Sequence, residues 1–153
     1  MLSGLGFEIC WSRKACGIFQ ACSDKRRNET NRIPGGRCSK MFLRHERDVR
    51  PADLSAEPDL KGAELRPLIT EQEGAEHFAM RLFRLEPGGY TPFHVHGWEH
   101  EVFVLQGTGQ VIGEKETLSL EVGAAVYVPP EERHRFQAGD TGLVFLCCVP
   151  NTP

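Results

Sequence analysis

The sequence predicts an all-β fold, a sandwich or barrel of short strands. Three observations carry that expectation. Short apolar runs alternate with a period near two, as half-buried strands do. Corners rich in glycine and proline separate those runs, and the 153 residues include 16 Gly and 10 Pro. No stretch of about ten residues carries a helical apolar stripe, so alternating βαβ units are excluded.

Taken in order, the body of the chain begins near residue 60. Ala63–Ile69 reads as a short, partly alternating strand, and the polar Thr70–Ala75 as a turn around Gly74. Phe78–Leu85 (FAMRLFRL) reads as a strand that alternates imperfectly and ends at Pro87-Gly88-Gly89. Thr91–His96 reads as a short strand carrying two histidines. Val102–Leu105 and Gly109–Ile112 follow, with a polar turn at Gly113–Glu116. Thr117–Leu120 and Ala124–Val128 are the next strands, the latter closed by Pro129-Pro130. Glu131–Arg133 makes a corner, His134–Gln137 opens a strand, Gly139–Gly142 is a turn, and Leu143–Val149 is the last strand. That makes roughly eight or nine short strands. Asp48–Leu60 is the place for one short helix. Closing such sheets buries an apolar face and removes exposed edges.

Composition narrows the function classes. Eighteen Lys and Arg against 21 Asp and Glu give a formal net charge of -3, which argues against a protein built to neutralise nucleic-acid phosphates. No apolar run is long enough to span a membrane. The six cysteines (Cys10, Cys16, Cys22, Cys38, Cys147 and Cys148) form no CxxC pair and show no zinc spacing. They read as intracellular free thiols. The first residues lack the order of a secretory signal, so the expected location is the cytoplasm. Residues 1–40 are basic and aperiodic. They are read as a disordered leader, a basic appendage, or sequence upstream of a natural start near Met41. Residues 41–153 are the folded domain.

The chemistry is concentrated in histidines. The chain has six, and His94, His96 and His100 fall close together, with His134 following the second proline-rich corner. On a strand, residues two apart face the same side, so His94 and His96 present both rings to one face. The Gly97–Glu99 corner can return His100 to them, and His134 opens another strand. Four imidazoles converging at one end of a barrel suit Fe, Ni, Cu, Zn or Mn. Protons compete for such ligands, so metal affinity is expected to fall below pH about 6.5. His45 and His77 have no neighbours of this kind and read as surface residues.

These residues resemble the cupin superfamily. Its first motif is a glycine, five residues, HxH, a nearby glutamate and a second glycine. Residues 88–107 match it as GGYTPFHVHGWEHEVFVLQG. Its second motif corresponds to residues 123–138, GAAVYVPPEERHRFQA, with Gly123, Pro129 and His134 in place. Three positions depart. His100 stands where the family's glutamate ligand is counted, while Glu101 fits the longer spacing. The second motif's glycine and asparagine are Glu131 and Ala138. The resemblance covers residues 60–150 and implies a double-stranded β-helix, or jelly-roll, barrel. The likeness is to small single-domain cupins with a four-histidine site, usually dimers that bind manganese or iron. It implies His94, His96, His100 and His134 as ligands of one divalent ion, with zinc, nickel or copper as alternatives. Three histidines plus Glu101 is the competing set.

Around such an ion, Phe93, Trp98, Phe103, Tyr127 and Phe136 are candidates for a dry pocket. Strand parity puts Phe136 with His134, and Arg133 and Arg135 on the opposite side, where they read as a solvated edge. Glu101 faces away from His100, either into a supporting position or onto the outer face. Resemblance makes Cys147 the pocket neighbour, although a buried inert thiol is the competing reading. Surplus apolar surface on Val102–Leu105 and Leu143–Val149 predicts a homodimer. The expected partner is a small molecule, not a nucleic acid or a membrane. A metal-dependent oxygenase of dioxygenase type is the leading function. A non-catalytic metal-binding or sensing module and a sugar isomerase or epimerase are the alternatives. The fold alone cannot choose among them.

Overall fold

A computed structural model describes residues 41–151. The basic extension over 1–40, with Cys10, Cys16, Cys22 and Cys38, lies outside the described residues. Six antiparallel strands dominate: β1 (Lys61–Ile69), β2 (Phe78–Tyr90), β3 (His100–Gly113), β4 (Thr117–Leu120), β5 (Ala125–Val128) and β6 (His134–Pro150). They run in the order β1-β2-β6-β3-β4, with β5 on the free side of the first half of β3. The sheet folds over on itself into a jelly-roll barrel.

The strands are fewer and longer than the sequence suggests, because glycine and proline bend them without ending them. Pro87-Gly88-Gly89 lies inside β2, where the register with β6 slips between Leu85 and Tyr90. Gly139–Gly142 is likewise not a turn between strands but a corner inside β6. Pairing with β3 resumes on both sides of it, from Gly109↔Ala138 to Gly113↔His134 and from Gly107↔Leu143 to Glu101↔Cys148. Such irregularities add curvature where a sheet must close. At this corner Gly107 takes φ 79° and Gly142 takes φ 76°. A Cβ on Gly107 would lie 2.0 Å from the Gly142 carbonyl oxygen, so only glycine fits.

Two further expectations are corrected. Thr91–His96 is not a strand. It is an extended loop whose single ladder contact is the bridge His94↔His134. Glu46–Asp48 forms a short 3-10 turn just ahead of the segment where a helix was expected. The polar turn after β1 is a second 3-10 turn, Glu71–Glu73, closed by a capping box between Thr70 and Glu73.

Inward positions of the strands make one core. Leu65, Phe83, Leu85, Val102, Val104, Val111, Phe136, Leu143 and Phe145 are all buried in it. Phe83 stacks on Phe145 at 5.0 Å, and Phe136 meets Phe145 at 4.7 Å. These rings form an apolar floor next to His134, whose ring is 6.0 Å from that of Phe136. Outside the barrel, the segment before β1 straps across its surface. Arg66 donates to the Glu46 and Val49 carbonyls, and Arg84 pairs with Glu46.

Candidate metal centre

The four histidines of the two sequence motifs meet inside one end of the barrel. His100 opens β3 and His134 opens β6, so register places them. His94 and His96 come from the loop after β2. The loop is held to β6 by paired bonds between the His94 and His134 backbones, and by Glu131 N–H donating to the His96 carbonyl at 2.8 Å. Ring centroids lie 4.7 Å apart for His94 and His134, 4.5 Å for His96 and His100, and 5.0 Å for His100 and His134. Ligand atoms of His94, His96 and His134 all fall within 4.8 Å of one another, close enough to hold a metal ion. His100 joins through His96, their Nε2 atoms 2.6 Å apart.

Backbone carbonyls set two of the tautomers. His94 Nδ1 donates to the Pro92 carbonyl at 2.9 Å, and His134 Nδ1 donates to the Glu132 carbonyl at 2.8 Å. With Nδ1 protonated, each Nε2 keeps a lone pair. His134 Nε2 is buried and has no protein partner. Two neutral ring nitrogens at the His96–His100 separation require one proton or one cation between them. An orphaned buried acceptor and a facing nitrogen pair fit a bound divalent transition ion, and an imidazole donor set suits one.

Burial keeps these rings neutral. It pushes His94 and His96 down to about 4, and lowers His100 and His134 as well. Each ring therefore favours its neutral form, because a protonated imidazole here would lose its hydration.

The neighbours divide into inner and outer sets. Cys147 Sγ lies 3.2 Å from His100 Nδ1, and Arg81 Nη2 lies 3.2 Å from the same sulfur. Burial raises the Cys147 thiol pKa, so it stays protonated. Trp98 stacks on His96 at 4.3 Å and 3°. Phe103, expected as a pocket candidate, is 47% exposed and faces outward, whereas Tyr127, although 60% exposed, lines the cavity that reaches His134. In the first part of β3, Glu101, Phe103 and Leu105 point out because His100, Val102 and Val104 point in. For the same reason Glu101 takes the outer face, not the supporting position beside the cluster. Phe93 packs outside under Arg133 and Arg135, and Arg135 pairs with Asp59 rather than standing solvated. The Asp59 carboxylate also accepts from Phe93 N–H, fastening the loop that carries His94.

Sequence reasoning missed Arg81 and Asp59. A signal for Arg81 existed. It shares the period-two face of Ala79, Phe83 and Leu85, which is otherwise apolar. Nothing local marks Asp59, which acts on residues far along the chain. A cavity of about 130 Å³ reaches His134 between β4 and β5, lined by Val111, Leu118, Val126, Tyr127, Val128 and Pro129 among others.

Residues 81–149 match the family model described as the cupin domain. This segment spans both histidine motifs, and it carries the decision together with the barrel topology. The chain belongs to the cupin superfamily. Among solved structures, it is similar to the polyketide cyclase RemF of Streptomyces resistomycificus. The two are 33% identical, with a TM-score of 0.67, over 74% of this chain and 83% of that one. A cupin 2 conserved barrel protein of Rhodopseudomonas palustris is 27% identical, with a TM-score of 0.59, over 67% of this chain and 70% of that one. An uncharacterised protein of Methanocaldococcus jannaschii is 30% identical over 40% of this chain, and the match spans half of that protein's length. Among the described residues, no helix of this cupin is long and apolar enough to cross a membrane.

Proposed function

We propose that this cupin is a metal-dependent enzyme acting on a small, enolisable organic molecule that offers two neighbouring oxygen atoms. His94, His96, His100 and His134 would hold one divalent ion, manganese or iron ahead of zinc, nickel or copper. The observation that carries the reading is the buried His134 Nε2 with no protein partner, set among three further imidazoles. When bound, the ion supplies Lewis acidity toward the substrate oxygens. The chain's own residues do the rest. Pro92 and Glu132 carbonyls hold two rings with Nε2 inward, the Phe136–Phe145 floor keeps water out, and the cavity beside His134 admits a small molecule.

No carboxylate joins the cluster among the described residues. An isomerase or epimerase needs a base near the reacting carbon, so this arrangement favours that alternative least. Oxygenation, the expectation from the sequence, and ring closure, the activity in the Streptomyces relative's name, share the same first step: a dicarbonyl or enol binds through two oxygens. Oxygen uptake separates them. Metal-loaded protein incubated with a 1,3-diketone and with a linear polyketide should consume O₂ if oxygenation is correct. Loss of water without O₂ uptake would mark cyclisation. Inertness across such a panel with the metal in place would favour a non-catalytic binding module.

A second copy of the chain is the proposed partner on the outer face. Phe103 and Leu105 each leave two-fifths or more of their surface exposed there. A monomer by light scattering at micromolar concentration would contradict this reading.

A further inference from the structure

We infer that Arg81 is an anion-binding residue of the barrel interior and restricts the substrate to molecules that present a carboxylate or enolate oxygen to it. The inference deepens the proposed function. It relies on that reading only for the partner of the substrate's other oxygen.

Register puts Arg81 inside. It pairs with Cys147 across β2 and β6. Cys147 is 1% exposed and contacts His100, so paired residues on this line face the histidines. Ala79, Phe83 and Leu85, on the same side of β2, are buried. The guanidinium sits 5.5 Å from the Phe83 ring centroid, and its Nε is buried with no hydrogen-bond partner.

Its charge has no counterion. Arg44, Arg66, Arg84, Arg133 and Arg135 each pair with a carboxylate. Among the described residues no such pair includes Arg81. Among the described residues its polar side-chain contact is the Cys147 sulfur, a weak acceptor. An arginine stays protonated in any protein environment, and a half-buried cation whose Nε is buried without a partner favours an incoming anion. A divalent ion on the histidines would add two more positive charges to the same interior. Only an incoming anion can offset this, and the planar guanidinium fork suits a carboxylate or enolate oxygen.

The test uses the full chain loaded with zinc, which is redox-inert, and oxalate as the probe, with its neutral diamide oxamide as control. Calorimetry at pH 8 should show oxalate binding to Arg81→Gln about tenfold or more weaker than to wild type, the scale of one charge-assisted hydrogen bond. Zinc content by elemental analysis should not change. Arg81→Lys, which keeps the charge, should recover most of the loss. Oxalate affinity within twofold of wild type in Arg81→Gln, at equal zinc content, overturns the inference and leaves the metal centre standing. Wild type that takes up no zinc defeats the metal centre instead, and the metal-free proteins then decide about Arg81. If Arg81→Gln does not fold, metal-free wild type decides alone. It should bind oxalate at least tenfold tighter than oxamide, and equal binding overturns the inference.

Discussion

The histidine cluster has two halves that are built differently. His100 and His134 each open a strand, and the register of β3 with β6 places them, with Gly113 opposite His134. His94 and His96 sit on a loop that makes a single bridge to β6. The strand half needs no further support, because a slipped register would turn a whole strand face outward. The loop half is fastened from outside: Asp59 holds Phe93 N–H and Arg135, and Trp98 stacks on His96. Ligands carried by strands are placed by the fold as a whole, while ligands carried by loops are placed by particular side-chain contacts.

The largest expected effect treats both halves alike. His134→Ala or His96→Ala should lower metal affinity by more than about a hundredfold, read as metal content after dialysis. Full occupancy in either variant would remove that residue from the ligand set. Asp59→Ala should tell the halves apart. It should loosen His94 and weaken metal binding roughly tenfold, with little change in melting temperature. An equal loss of stability would make Asp59 a fold residue instead.

Acid should act on both halves together. Each imidazole titrates lower when folded than the ordinary value of 6.5, His94 and His96 at about 4. The unfolded chain therefore binds more protons between those values. The contribution is full above about 6.5 and is lost as pH falls toward 4. Urea midpoints of metal-free protein should fall through that window, and a flat profile would mean the rings are solvated.

Smaller effects sharpen the picture at the edges. Glu131 takes φ 63° at the corner beside His96, where the family motif has glycine. Glu131→Gly should relieve strain and stabilise the protein by up to about 1 kcal/mol, measured by denaturant midpoint. Glu101→Gln should leave metal content unchanged, since Glu101 lies on the outer face. A clear loss would return Glu101 to the ligand set.

Much of this was legible in the residues themselves. HxH at His94 and His96, His100 after a glycine corner and His134 after Pro129-Pro130 are local patterns, and so are the apolar alternations of β3 and β6. Element ends were less legible. Whether Gly139–Gly142 ends a strand or bends it depends on pairing with Gly107 and Gly109, far away in sequence. The loop character of Thr91–His96 has the same origin, since a strand needs a partner along its length.

The amino-acid order alone determined the β class and the cluster of histidines, because those follow from side-chain periodicity and chemistry. Only tertiary packing decided which neighbours face those histidines. It turned Arg81 and Cys147 inward and Glu101 and Phe103 outward. It also lowered the imidazole pKa values, because burial removes water from a group only after distant strands close over it.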